Sequence, residues 1–418
     1  MTDHSAHDRD PAQHQPAILS RRTLIHAAGL GALAATAGSA LAQTAAAQTS
    51  ASPAAPPTTI TTPPRDFSRS GAPTTYFWDP DVITLDPAFG GLAQPNAAIQ
   101  RIWTGGLWVE GPAWNAQGQY LVWSDIPRNR QMRWIEDDGR VTIFRSPSGN
   151  SNGNSFDFQG RQLSCEHLNR RVVRYELDGS ATVLADSFEG KKLNSPNDIA
   201  AHPDGSYWFT DPPYGGQLYE GAPDAAGGPS NANGKINPRL GQPPGIGLAK
   251  RELPTNTYRL DPSGRLDLVV PESQVPDPNG LCFSPDFKKL YIASTGKGPG
   301  DTGPGGKGDI HVFDVGTDNK LSNGKRFSDC MVDGINCGPD GLRCDVEGNL
   351  WASSNAGRNV GYSGVLVFNP SAKLIGRIRL PEVCGNICFG GPKRNRLFMA
   401  ASQSIYALYL ATQGAGPG

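Results

Sequence analysis

Six oxygen-bearing side chains stand at one position of a repeat in this 418-residue chain: Glu110, Asn152, Asn197, Asn279, Asp340 and Asn386. Carboxylates gathered at one place repel each other unless a cation neutralises them. Ca²⁺ takes roughly six to eight oxygen donors, carboxylates and Asn carbonyls among them. Glu110 and Asp340 would supply charge to such an ion, and Asn197 and Asn279 neutral carbonyls. The column contains no His or Cys, so a soft thiolate or imidazole site is not expected. The expected cofactor is therefore a divalent cation, Ca²⁺ first, with Mg²⁺, Mn²⁺ and Zn²⁺ as the other candidates. The plainer reading is that Asn and Asp cap turns; turn capping does not call for Glu110.

The column needs a scaffold that brings its members together. Six sixteen-residue segments align without gaps, from EGPAWNAQGQYLVWSD at Glu110 to NICFGGPKRNRLFMAA at Asn386. Their twelfth position is always Leu or Trp: Leu121, Leu163, Trp208, Leu290, Trp351 and Leu397. Each segment reads as strand, turn, strand. Between segments a second hairpin pattern recurs, as in RWIEDDGRVTIF and YRLDPSGRLDLV, with DG and PSG as the turn residues. Segment starts lie 42, 45, 82, 61 and 46 residues apart. Four strands in a period of roughly 40 to 50 residues predict an all-β, six-bladed β-propeller with a central metal site. Rotation about its axis would carry the column to one end of a central channel. The long intervals hold Gly- and Pro-rich insertions near Tyr214–Lys250 and Gly296–Gly308. After the sixth segment one strand remains, Ile405 to Tyr409, and Arg101-Ile102-Trp103 is expected to complete that blade. A β-sandwich is the competing architecture, but it leaves a sixfold repeat unexplained.

Composition agrees. With 51 Gly, 36 Pro and 37% apolar residues, the chain suits short strands and turns. A net charge of −1 without a basic stripe argues against nucleic acid as a partner. Arg21-Arg22 precede an Ala- and Gly-rich run, and Ala40-Leu41-Ala42 offers a cleavage site before Gln43. Residues 1–42 thus read as a twin-arginine export signal, residues 43–74 as a flexible leader and residues 75–418 as the propeller domain. The run is too short and too weakly apolar for a stable membrane span. The expectation is a periplasmic or secreted protein that meets the twin-arginine translocase during export.

Seven cysteines leave at least one unpaired within the chain, and none has CxxC spacing. Cys384 with Cys388, or two of Cys330, Cys337 and Cys344, are pairing candidates; Cys165, Cys282 and Cys388 read as small core residues. Gly149 to Gly153 matches GxSxG around Ser151, but a strand rather than a helix follows, against a nucleophile elbow. Gly298 to Gly303 matches GxGxxG without a following helix, and Lys307 is followed by Gly308, so neither reads as a phosphate loop.

EGPAW, NSPND, PNGLCFS and GPDGLRCD resemble, in order and spacing, the signature stretches of the gluconolactonase and regucalcin family, which includes related propeller phosphotriesterases. The resemblance runs from about Thr75 to the C-terminus; PSGNSNGN, CEHLNRR and FTDPPYG look closest to bacterial gluconolactonases. It implies metal binding by Glu110, Asn279 and Asp340, contact of Asn197 with metal or substrate, and an acid/base role for Asp340. Asn152 and His167 join Asn197 as expected substrate contacts. Animal members carry an Arg two residues before the Asn matching Asn197; here Ser195 stands there, which implies different sugar recognition. The implied activity is metal-dependent hydrolysis of a sugar lactone of the D-glucono-1,5-lactone type to the aldonic acid. A phosphotriesterase or aryl esterase on the same site, and a non-catalytic binding propeller, are the alternatives.

Overall fold

The computed structural model describes residues 78–217, 251–295 and 307–417. Within them the six segments form the inner pair of strands of six antiparallel sheets, as the repeat predicts. Blade 1 comprises Val109–Asn115, Tyr120–Asp125, Arg130–Ile135 and Val141–Arg145. Blade 2 comprises Ser151–Phe156, Gln162–Glu166, Arg171–Tyr175 and Ala181–Ala185. Blade 3 is built from Ile199–Ala201, Tyr207–Asp211, Asn256–Leu260 and Leu266–Val270. Blade 4 follows with Pro278–Phe283, Lys289–Ser294, Asp309–Val315 and Leu321–Ser328. Blade 5 takes Gly338–Cys344, Leu350–Asn355, Gly364–Phe368 and Leu374–Arg379. In every blade the first strand is innermost. Each inner strand touches that of the next blade, and the sixth touches the first.

Closure happens as the sequence suggests. Blade 6 has Cys384–Gly390, Arg396–Ala401 and Ser404–Tyr409, and its outer strand is the N-terminal Gln100–Thr104. Gln100 pairs with Ala407 and Thr104 with Ser404. An element absent from the sequence reading lies outside blade 5: Val82–Thr84 pairs with its outer strand, and Arg379 holds Asp81 at 2.6 Å with both side chains buried. This covers a sheet edge that would otherwise offer unpaired backbone groups.

Apolar residues fill most spaces between blades, because successive strand residues face opposite sides of a sheet. Trp351 and Val367 of blade 5 pack with Ile387 and Met399 of blade 6; Trp208 of blade 3 packs with Leu281 and Ile292 of blade 4. The twelfth-position Leu and Trp side chains are all fully buried, which explains their invariance across the repeat. The gap between blades 1 and 2 differs. There Gln131, Asn154, Gln162, Ser151 and Ser164 form a buried hydrogen-bonded network.

All seven cysteines are buried thiols, so none of the pairings considered is present. The nearest approach of two sulfurs that the structure gives is Cys282 to Cys344, 3.9 Å, a pair not singled out from sequence. The expected signal and leader, residues 1–74, and the cores of both insertions lie outside the described residues. Among those described, no helix is long and apolar enough to cross a membrane.

Candidate active site at one end of the channel

Five of the six inner strands depart from regular pairing where the column residues sit; that of blade 3 pairs regularly and begins only after Asn197. The register slips between Glu110 and Ala113, Ser151 and Asn154, Pro278 and Leu281, and Pro339 and Leu342. A slip also occurs between Cys384 and Asn386. Such bulges bend a strand and re-aim its side chains. Here they recur at the first turn of the ring, so the repeat carries a device for presenting polar groups at the axis.

Close approach between blades fixes the spacing. A Cβ on Gly280 would stand 2.1 Å from the Asp340 carbonyl oxygen, and one on Gly385 would stand 1.9 Å from Glu110 Oε1. At Gly280 the obstacle is backbone, which leaves no room for a side chain; at Gly385 it is the Glu110 carboxylate, which a side chain would displace. Hydroxyls on the second strands brace the next blade. Ser124 Oγ donates to the Asn152 carbonyl at 2.8 Å, Thr210 Oγ1 to the Asn279 carbonyl at 2.6 Å, and Ser353 Oγ to the Gly385 carbonyl at 2.7 Å. Sequence reasoning missed both features. The glycines had a visible signal, since Gly111, Gly153, Gly280 and Gly341 occupy the second position of four segments.

All six column residues are buried. Glu110 Oε2 accepts from the Gly111 N–H at 3.0 Å. Asn386 Oδ1 accepts from the Ile387 N–H at 2.8 Å, so its carbonyl is already engaged by backbone. Glu110 and Asp340 both act on the Cys384 thiol: burial first, then these two carboxylates, push it far above its ordinary range. Both carboxylates, from blades 1 and 5, thus lie near enough to Cys384 of blade 6 to act on its charge. Asn279 Oδ1 is buried and has no hydrogen-bond partner among the described residues. A buried carbonyl left this way costs free energy unless something binds it.

These observations fit a hard cation: two carboxylates acting on one neighbour, and an amide oxygen with spare capacity on the adjoining blade. Among the described residues no group of three or more His, Cys, Asp or Glu lies together. An ion here would therefore be completed by amide and backbone oxygens, the chemistry of Ca²⁺ rather than of a thiolate or imidazole metal. Glu110, Asn197, Asn279 and Asp340 are the residues that would hold it.

Asn197 ends a loop organised by a buried acid. Asp211 accepts from the N–H groups of Asn194 and Ser195, each at 2.8 Å. Burial pushes Asp211 up to about 7, against those two hydrogen bonds. Ser195 Oγ donates to the Pro212 carbonyl at 2.6 Å and accepts from the Gly215 N–H at 3.0 Å. Ser195 thus closes the loop onto the turn after the second strand of blade 3. That turn carries Gly215, which packs against the ring of His167. His167 directly follows the second strand of blade 2, at the end of the blade where Ser151 pairs with Glu166 and the inner strand begins. It is buried, and burial pushes its imidazole down to about 3, over the opposing influence of the Pro196 backbone. A neutral ring results at physiological pH. Ser151 is no nucleophile by its surroundings: its Oγ is fully buried, 2.9 Å from Ser124 Oγ and 3.2 Å from the Gln131 amide.

The profile of the SMP-30/Gluconolactonase/LRE-like region matches residues 108–403. The gluconolactonase of Zymomonas mobilis is 27% identical over 80% of this chain and 87% of its own length. A solved structure from Xanthomonas campestris, described as a gluconolactonase important in glucose secondary metabolic pathways, is 31% identical. It superposes with a TM-score of 0.63, covering 79% of this chain and 94% of that one. Bovine regucalcin is 26% identical over 70% of this chain and 83% of its own. The matched span takes in the whole column and five complete blades together with the two inner strands of the sixth, and on it the chain belongs to the SMP-30/gluconolactonase/LRE-like family.

Proposed function

We propose that this protein hydrolyses a sugar lactone of the D-glucono-1,5-lactone type to the aldonic acid, with a divalent cation, Ca²⁺ first, held by Glu110, Asn197, Asn279 and Asp340. The observation that carries the reading is the buried, unsatisfied Asn279 carbonyl on the blade next to that of Asp340, with Glu110 and Asp340 both acting on Cys384. The gluconolactonases among its relatives support the substrate class.

When bound, the cation would polarise the lactone carbonyl and offset the negative charge that develops on it. The chain's own part is as follows. Asp340, 8% exposed, is the least buried of the four expected metal ligands. It takes the proton of a water attacking the ring carbonyl, a step typically worth about 10²–10⁴-fold. Asn152, Asn197 and neutral His167 would orient the sugar hydroxyls. The tetrahedral carbon then expels the ring oxygen, which regains a proton to give the hydroxy acid. The protein is exported through the twin-arginine translocase and works in the periplasm or outside the cell.

Initial rates on D-glucono-1,5-lactone, an aryl acetate and a phosphotriester, each with spontaneous hydrolysis subtracted, test the substrate class. The lactone should have the highest kcat/KM. A higher value for either ester would favour the esterase reading, and no turnover of any would favour a binding propeller.

A further inference from the structure

Below the column an ion pair crosses the ring. Arg343 Nη1 of blade 5 lies 3.3 Å from Asp198 Oδ2 of blade 3, with blade 4 between them. Asp198 is fully buried and the Arg343 side chain is 13% exposed. Asp198 directly follows Asn197; Arg343 comes three residues after Asp340 on the same inner strand. Each partner is therefore tethered to an expected ligand of the cation.

Neither partner is itself a donor to the ion. Asp198 Oδ1 accepts from the Ile199 N–H at 3.0 Å while Oδ2 faces Arg343, so both oxygens are engaged. Arg343 also donates to the Leu342 carbonyl at 2.6 Å. Burial lowers the proton affinity of Arg343, while the attraction of Asp198, together with Cys388 and Cys282, holds the guanidinium above its ordinary value. On its far side Arg343 lines a cleft at the opposite ends of the inner strands, with Ser155, Phe283, Cys344 and Pro417. The pair thus stands between that cleft and the column.

We propose that Asp198 and Arg343 form a charged floor that sets the cation affinity of the axial site from outside the ligand shell. Arg343 repels the ion, and Asp198 cancels that repulsion. The inference rests on the cation reading given above. A unit charge about 10 Å from a divalent ion, at an effective dielectric near 20, changes its dissociation constant by roughly two orders of magnitude, and by less where water and salt screen it. Removal of either partner should therefore shift affinity, and the two shifts should have opposite signs.

The test is isothermal titration of Ca²⁺ into chelator-stripped protein: wild type, Asp198→Asn, Arg343→Met and the double variant. Asp198→Asn should bind about tenfold or more weakly, Arg343→Met about tenfold more tightly, and the double variant within about threefold of wild type. Weakening in both single variants, or an unchanged constant in both, overturns the inference. If a single variant does not fold, the double variant decides: affinity within about threefold of wild type supports the inference, and a loss of about tenfold overturns it, because the pair would then shape the ligand set rather than its charge. Failure of wild type itself to bind any divalent ion would instead overturn the cation reading.

Discussion

Gly385 gives Glu110 its place: a methyl group on Gly385 would stand 1.9 Å from Glu110 Oε1. The two residues belong to blades 6 and 1, whose inner strands meet where the ring closes. The position of an expected metal-binding carboxylate therefore depends on how closely these two blades approach.

Gly385→Ala should push the Glu110 carboxylate off its position without changing any charge. Overpacking of this kind costs about 1–3 kcal/mol. The melting temperature should fall modestly, whereas lactonase activity at limiting Ca²⁺ should fall at least about tenfold and recover in part at high Ca²⁺. Full activity at limiting Ca²⁺ would show that Glu110 does not depend on this contact.

Asp211 predicts a pH dependence of stability. Its ordinary value is 3.8, and burial raises it to about 7 in the folded chain. The folded state therefore holds a proton that the unfolded chain has released. That preference is fully present below pH 4, declines as pH rises through the window from 4 to 7, and is gone above it. Melting temperatures measured from pH 4.5 to 8 should carry this downward component in wild type and lose it in Asp211→Asn. Identical profiles for the two proteins would assign the slope to other groups.

Much of this was legible in the sequence because a propeller repeats its physics. The twelfth-position Leu and Trp, the spacing of segment starts and the terminal strands at Arg101 and Ile405 gave blade number and closure. Asn279 and Asp340 stood out because oxygen-bearing residues recur at one register. What escaped was set by contact between blades, which no single repeat displays. Ser124, Thr210 and Ser353 look like ordinary strand polar residues until a neighbouring carbonyl lies beneath them. The Asp198–Arg343 bridge joins residues 145 positions apart. The Val82–Thr84 strand was hidden because it lies outside the repeat.

The column and Ser151 make opposite predictions. Asp340→Ala removes a charge and the proposed base, so lactonase kcat should drop by at least about 10²–10⁴-fold, with no rescue by added Ca²⁺. Asn279→Ala removes one neutral donor, and its loss should be partly rescued by cation. Ser151→Ala should retain activity within about threefold, since that hydroxyl is spent on the network between blades 1 and 2. Loss of activity in Ser151→Ala with retention in Asp340→Ala would replace this mechanism with a serine one.

The export reading rests on Arg21-Arg22 and the Ala-rich run after them. Changing both arginines to Lys should leave uncleaved precursor in the cytoplasmic fraction, as judged by immunoblotting of cell fractions. Normal appearance of mature protein outside the cytoplasm would rule out the twin-arginine route.

The most direct test of the central claim is D-glucono-1,5-lactone hydrolysis by exhaustively chelated protein, followed by titration with Ca²⁺. The account predicts that chelation abolishes the enzymatic rate above the spontaneous background and lowers the melting temperature. Both should return together as Ca²⁺ rises; saturation at a hundredfold over Kd contributes about 2.7 kcal/mol to the folded state. Undiminished turnover in protein shown to be free of divalent metal would contradict it.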